Sequence, residues 1–134
     1  MTETVTIWHN PACGTSRNTL AIIQASGVEP TIVAYLETGW DRATLERLIA
    51  ATGQGARGLL RNKGTPAADL GLLDPDVADD AIVSAMIAHP ILVNRPIVET
   101  PKGTRLCRPS EVVFDLLETP PTSFNKEDGE VVRP

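Results

Sequence analysis

Val5-Thr6-Ile7-Trp8-His9-Asn10-Pro11-Ala12-Cys13-Gly14-Thr15-Ser16-Arg17-Asn18 is the stretch on which the fold turns. Its first four residues are β-branched or aromatic and read as a short strand, which Asn10-Pro11 ends as a turn signal. Beyond Cys13 a helical pattern carrying Leu20 and Ile23 runs until Gly27. Thr31-Ile32-Val33-Ala34-Tyr35 is again β-branched and reads as a second strand. A strand, a helix and a strand in this order make a βαβ unit, which implies parallel strands joined by a right-handed crossover.

Further along, the apolar period changes. Leu45, Leu48, Ile49 and Thr52 keep one helical face behind Asp41, a side chain suited to an N-cap. Ile82, Ala85, Met86 and His89 repeat that spacing behind Asp79 and Asp80, and Pro90 ends the pattern. Residues 62–78 are rich in Gly, Pro and Asp and read as a loop joining short helical pieces. Strand signals return at Ile97-Val98-Glu99-Thr100 and Thr104-Arg105-Leu106-Cys107, with Pro101-Lys102-Gly103 between them as a hairpin turn. Pro109-Ser110 then opens a last helix with Val112, Val113, Leu116 and Leu117. The order βαβ, helical segment, ββα predicts an α/β fold, a thioredoxin-like mixed four-stranded sheet. One domain is expected over residues 1–118, with a helical insertion at about 41–90 and an extended, weakly ordered tail over 119–134.

The bulk numbers suit that size. The chain has 134 residues, 42% hydrophobic and 22% charged, values of a folded domain rather than a disordered one. Aromatics are only 4%, so aliphatic side chains must fill the core. The net charge of −5 argues against general nucleic-acid binding. No apolar run reaches the length of a membrane span, and the first residues do not resemble a secretory signal. Two cysteines make no disulfide framework, so two reduced thiols and a cytoplasmic location are expected. From Ile91 to Glu111 four cations face two carboxylates, a local charge of +2, and the chain favours arginine over lysine by nine to three. Planar guanidinium groups suit small oxyanions, although scattered surface charges would give the same composition.

Gly53-Gln54-Gly55-Ala56-Arg57-Gly58 fits the dinucleotide pattern G-x-G-x-x-G letter for letter. That pattern has force only after a strand and before a helix. Here it follows the helical repeat of residues 45–52, so it reads as a flexible interhelical turn.

Cys13 sits where the chemistry would be. Free backbone N–H groups at a helix N-terminus attract anions, and the dipole adds about half a positive charge. A cysteine there is shifted toward thiolate, and the same N–H groups can hold an oxyanion beside the sulfur. Gly14 allows close backbone approach, and Thr15 and Ser16 offer hydroxyl donors. His9 could act as a nearby cation or a proton acceptor, or could merely end the strand. A small buried hydrophobe is the plain alternative for Cys13, poorly suited to a Gly/Ser/Thr-rich turn. Ser16 stands where a Cys-x-x-Cys dithiol would carry its second sulfur, and no arginine completes a Cys-x5-Arg phosphatase loop. Cys13 is therefore a monothiol, and its oxidised state must pass to an outside thiol.

At this point the residues resemble a family. His9 to Asn18 is similar to the active-site loop of the glutathione/glutaredoxin-coupled arsenate reductases. Leu59-Leu60-Arg61-Asn62, His89 to Val98 and Gly103 to Glu111 resemble its other signatures in the same order. The likeness spans about residues 5–118, with an echo at Phe124-Asn125-Lys126-Glu127-Asp128-Gly129-Glu130; residues 62–80 show none, and the tail is shortened. The resemblance implies that Cys13 is the nucleophile, that Arg61, Arg95 and Arg108 bind the oxyanion, and that His9 and Ser16 support the thiolate. Pro96 falls where thioredoxin-like folds keep a cis-proline, which would set Arg95 beside Cys13. Cys107 matches a dispensable second cysteine, a buried structural thiol. The resemblance further implies arsenate as substrate, glutathione as co-substrate and glutaredoxin as partner, with no bound cofactor or metal, no membrane or nucleic-acid partner, and a monomer. Two other readings remain: a non-catalytic thioredoxin-like redox regulator, and a general monothiol oxidoreductase, which would need Cys13 but not three arginines.

Overall fold

Strand β1 (Thr6–Trp8) lies inside a four-stranded sheet, parallel to β2 (Thr31–Val33) on one side and antiparallel to β3 (Ile97–Thr100) on the other. β4 (Gly103–Leu106) completes the order β2-β1-β3-β4. Ile7 faces Ile32 across one seam and Val98 across the other, so β-branched residues meet along the middle of the sheet. The β1–β2 connection is helix α1 (Gly14–Ala25), as a parallel pair requires. The computed structural model describes residues 4–134. They fall into two units: the described part of Met1–Ala34 with Arg95–Pro134, and Tyr35–Asn94.

In the first unit Ile7, Ile22, Ile23, Val98 and Val113 are fully buried, and Phe114, Leu116 and Leu117 nearly so. Each such aliphatic side chain contributes about 1.5–3 kcal/mol of transfer free energy. Val113 to Leu117 differ from the α-helix expected there: Ser110–Leu116 is a 3-10 helix, with Leu117 N–H donating to Phe114 O. The three-residue turn stacks Val113 under Leu116, two side chains that the core takes together.

The tail differs from the expected extended segment. Strands β5 (Phe124–Asn125) and β6 (Val131–Val132) pair antiparallel into a hairpin. Val132 belongs to the core of this unit and Phe124 packs against it, which gives the segment a hydrophobic reason to be ordered. Lys126 adds an ion pair to Glu111 at 2.7 Å.

In the second unit, Tyr35 starts the short helix α2 (Tyr35–Thr38) instead of ending β2. Its hydroxyl donates to Val93 O at 2.9 Å and its ring packs on Trp40. Helix α3 (Arg42–Thr52) is capped by Asp41, whose carboxylate accepts from Thr44 N–H at 3.1 Å. The glycine-rich string is not a flexible turn. Gly53 and Gly55 hold φ of +72° and +74°, and Gly55–Gly58 forms the single-turn helix α4. A Cβ at Gly58 would stand 2.7 Å from Gln54 Cβ, so the third glycine is a packing requirement. Arg57 donates to the carbonyls of Leu72, Asp74 and Val77, which fixes much of the 62–78 loop. Helix α5 (Asp79–Ala88) buries Ile82, Val83 and Met86, whereas His89 is exposed and Pro90 begins a 3-10 turn, Pro90–Leu92. Among the described residues no helix is long and apolar enough to cross a membrane.

Candidate active site

The turn from β1 to α1 is built by Asn10 before Cys13 contributes anything. Asn10 Oδ1 accepts from Ala12 N–H at 2.9 Å, and Asn10 O accepts from Cys13 N–H at 3.0 Å. These two bonds fold residues 10–13 into a tight turn and leave Cys13 at the N-cap of α1, with φ −101° and ψ 122°. Ser16 closes the turn from the helix side. Its Oγ accepts from Asn10 N–H at 3.1 Å and lies 2.6 Å from His9 Nδ1.

Cys13 is 8% exposed, and Arg108 reaches it with Nη1 3.6 Å from Sγ. The same Nη1 donates to Arg95 O at 3.0 Å, which ties the two arginine positions together. Both X-Pro bonds that follow these arginines, Arg95–Pro96 and Arg108–Pro109, are cis. Burial pushes the Cys13 thiol up. Hydrogen bonds from the Arg95 side chain, the Ser16 backbone amide and the Arg108 side chain, with the charge of Arg95, outweigh it and bring the thiol down to about 7. At neutral pH a substantial share of Cys13 is thiolate.

His9 is buried, and burial followed by the charge of Arg17 lowers its pKa. It therefore meets the thiol loop as a neutral ring, not as the cation that its sequence position also allowed. Ser16 has no solvent exposure, and its hydroxyl is engaged by His9 and Asn10. It shapes the loop, whereas Gly14 and Thr15 are half-buried.

The structure thus brings Cys13, His9, Ser16, Arg95 and Arg108 into one unit. Arg61 belongs to the Tyr35–Asn94 unit, where its Nε donates to Lys63 O at 3.0 Å and Nη1 to Asn94 Oδ1 at 3.2 Å. Cys107 is fully buried, and burial pushes its thiol up to about 12. Arg17 was not singled out by sequence, and Asn10 only as a turn signal. Asn10 carried a signal in its Asn-Pro pair, since an asparagine that caps its own turn is what such pairs supply. Arg17 carried none, because its partner is Glu127, 110 residues away. Among the described residues no group of three His, Cys, Asp or Glu side chains is placed to hold a metal ion.

A mixed β2-β1-β3-β4 sheet with a single thiol between β1 and α1 defines a thioredoxin-like protein with a monothiol site. Residues 8–116 match the ArsC family, and the chain belongs to it. It is 60% identical to an arsenate reductase of Rhizobium meliloti (strain 1021) over 130 residues, covering 96% of this chain and 93% of that protein. Against an arsenate reductase of Escherichia coli (strain K12) identity is 56% over 129 residues, covering 96% and 92%. A solved structure of an arsenate reductase from Vibrio cholerae superposes with a TM-score of 0.82 at 38% identity, covering 87% of this chain and all of that one.

Proposed function

We propose that this chain is an arsenate reductase that works through Cys13 and uses glutathione and glutaredoxin as its outside thiols. The observation that carries the reading is the Cys13 thiol, lowered to about 7 and contacted by Arg108, with no second sulfur in its loop. Family membership, with relatives of 60% and 56% identity that are named arsenate reductases, supports the substrate.

The chemistry follows from the loop. Arsenate is an anion, and Arg95 and Arg108 hold it by charge-assisted hydrogen bonds, each worth about 1.5–3 kcal/mol. Those cations also offset the repulsion between a thiolate and an approaching anion. The Cys13 sulfur attacks arsenic, an oxygen leaves as water after protonation, and a sulfur–arsenic bond forms. Glutathione then forms a sulfur–sulfur bond with Cys13 as the sulfur–arsenic bond breaks. Its electron pair stays on arsenic, which falls from arsenic(V) to arsenic(III) and departs as arsenite. Glutaredoxin takes the glutathione from the mixed disulfide and returns Cys13 as thiolate. Ser16 is the reason for the external step, since its hydroxyl cannot close a local disulfide. Both cysteines are free, which fits a reducing cytoplasm. We read the protein as a monomer without a bound cofactor.

Arg61 enters this proposal through the family resemblance, as a third oxyanion ligand, and its own substitution tests it. The decisive experiment is steady-state arsenite production by the purified protein with glutathione and glutaredoxin, beside a parallel assay with thioredoxin. Turnover only in the first supports the scheme. Equal turnover with thioredoxin alone would overturn the choice of reductant, and none with either would overturn the activity.

A further inference from the structure

Beside the thiol loop stands a charge pair that the proposed chemistry does not use. Arg17, in the first turn of α1, donates from Nε to Glu127 Oε2 and from Nη2 to Glu127 Oε1, both at 2.9 Å. Its Nη1 donates to Pro11 O at 2.9 Å, so the guanidinium spans the turn that holds Cys13. Glu127 also donates its backbone N–H to Asn18 Oδ1 at 3.1 Å. The pair lies over Gly14: a Cβ there would stand 3.6 Å from Arg17 Nη2 and 4.0 Å from Glu127 Oε1. The tail hairpin therefore brings a carboxylate to the mouth of an anion-attracting helix start, where a negative charge is unfavourable to an incoming anion.

The placement is built. Val132 and Phe124 seat the hairpin on the core, and Lys126 is taken by Glu111 and Glu130, at 2.7 and 3.1 Å. Gly129, at φ +93°, turns the tip, and Lys126 N–H closes it on Glu130 O. Glu127 is thereby directed at Arg17, which holds its carboxyl below the usual range.

We propose that Glu127 is a positioning residue that sets the anion affinity of the Cys13 loop, by holding and neutralising Arg17 across the first turn of α1. Without Glu127, Arg17 is one more cation beside Cys13, and the loop holds anions, including phosphate, a tetrahedral oxyanion like arsenate, more tightly. With it, the local field comes from Arg95 and Arg108, which face the sulfur directly, and from the neutral ring of His9. The tail thus lowers the affinity of the site for tetrahedral oxyanions in general, arsenate included.

The proposal rests on the Cys13 loop being the anion site, and the test separates the two. Wild type, Glu127→Gln, Arg17→Gln and the double variant are alkylated with iodoacetamide. Labelling at Cys13 is followed by mass spectrometry against inorganic phosphate at low ionic strength. Phosphate protection in wild type establishes the anion site; its absence overturns both readings. Glu127→Gln should lower the phosphate concentration for half-protection by between about 1.5- and fivefold, the range an exposed pair supports. Arg17→Gln should raise it by a similar factor, and the double variant, with the pair's charge balance restored, should return near wild type. The pH midpoint of labelling should follow the same order, lowest in Glu127→Gln. These differences should shrink in 1 M salt, where screening acts within about 3 Å. If Glu127→Gln weakens protection or leaves it unchanged, Glu127 is a structural strut and the proposal fails.

Discussion

The two cysteines sit in the same unit, and both are buried, yet they are opposite chemical objects. Cys107 follows β4 with no solvent exposure; its sulfur is 3.8 Å from Arg105 O, and its thiol lies at about 12. Cys13 is at 8% exposure, with its thiol at about 7. Desolvation raises both. The difference is made by what points at the sulfur: two guanidiniums and a helix-start amide at Cys13, against an apolar core and the charge of Arg105 alone at Cys107. Burial by itself does not make a thiol inert. Burial without donors does.

That contrast can be broken most directly at its reactive end. Cys13→Ser should lower arsenate reduction by at least about 10³-fold, since no other thiol can replace a nucleophile. Substantial turnover in that variant ends the assignment. Next in size is the labelling contrast in the wild-type protein. A thiol is reactive above its pKa, so native alkylation of Cys13 should climb as pH rises through about 7. Cys107, with its thiol near 12, should stay unlabelled over the same range until denaturant exposes it. Equal labelling of the two would contradict the environments described here.

Smaller effects sharpen the comparison. Arg95→Gln or Arg108→Gln should reduce kcat/KM for arsenate by about 10- to 100-fold, the value of a charge-assisted hydrogen bond. Each should also move the Cys13 labelling midpoint upward, because the donors that oppose desolvation are gone. An unchanged midpoint in both would show that the guanidiniums do not govern the thiol. Smallest of all, Cys107→Ala should keep its activity and lose about 1 kcal/mol of stability, a small cavity in the core, measurable by urea denaturation.

The legible part of the site was the part built from neighbours in sequence. Asn10-Pro11, Cys13 and Gly14 lie within five residues, and a strand followed by a turn and a helix placed them without any long-range contact. Arg95 and Arg108 were visible only through the family resemblance. Composition shows that arginine is abundant between 91 and 111, not which guanidinium meets the sulfur. Glu127 was beyond reach for the same reason, since its partner is set by how the tail hairpin seats on Val132. The 3-10 helix at Ser110–Leu116 shows the limit for local structure as well: the apolar spacing of Val112, Val113, Leu116 and Leu117 fits an α-helix, and core packing selected the tighter turn.

By itself, the sequence determined the order of the four sheet strands along the chain, the mixed sheet that this order implies, and a monothiol at the start of a helix. Each depends on local period, turn residues and the identity of position 16. Tertiary structure decided which charges surround that thiol. Pairing of β1 with β3 carries Arg95 to the end of the sheet where β1 leads into the Cys13 turn, the β3–β4 hairpin returns Arg108 beside it, and the tail places Glu127 on Arg17. The shift of a thiol to about 7 is a sum over groups far apart in the chain. Coulomb forces and hydrogen bonds act through space, so only the fold can say which of nine arginines does it.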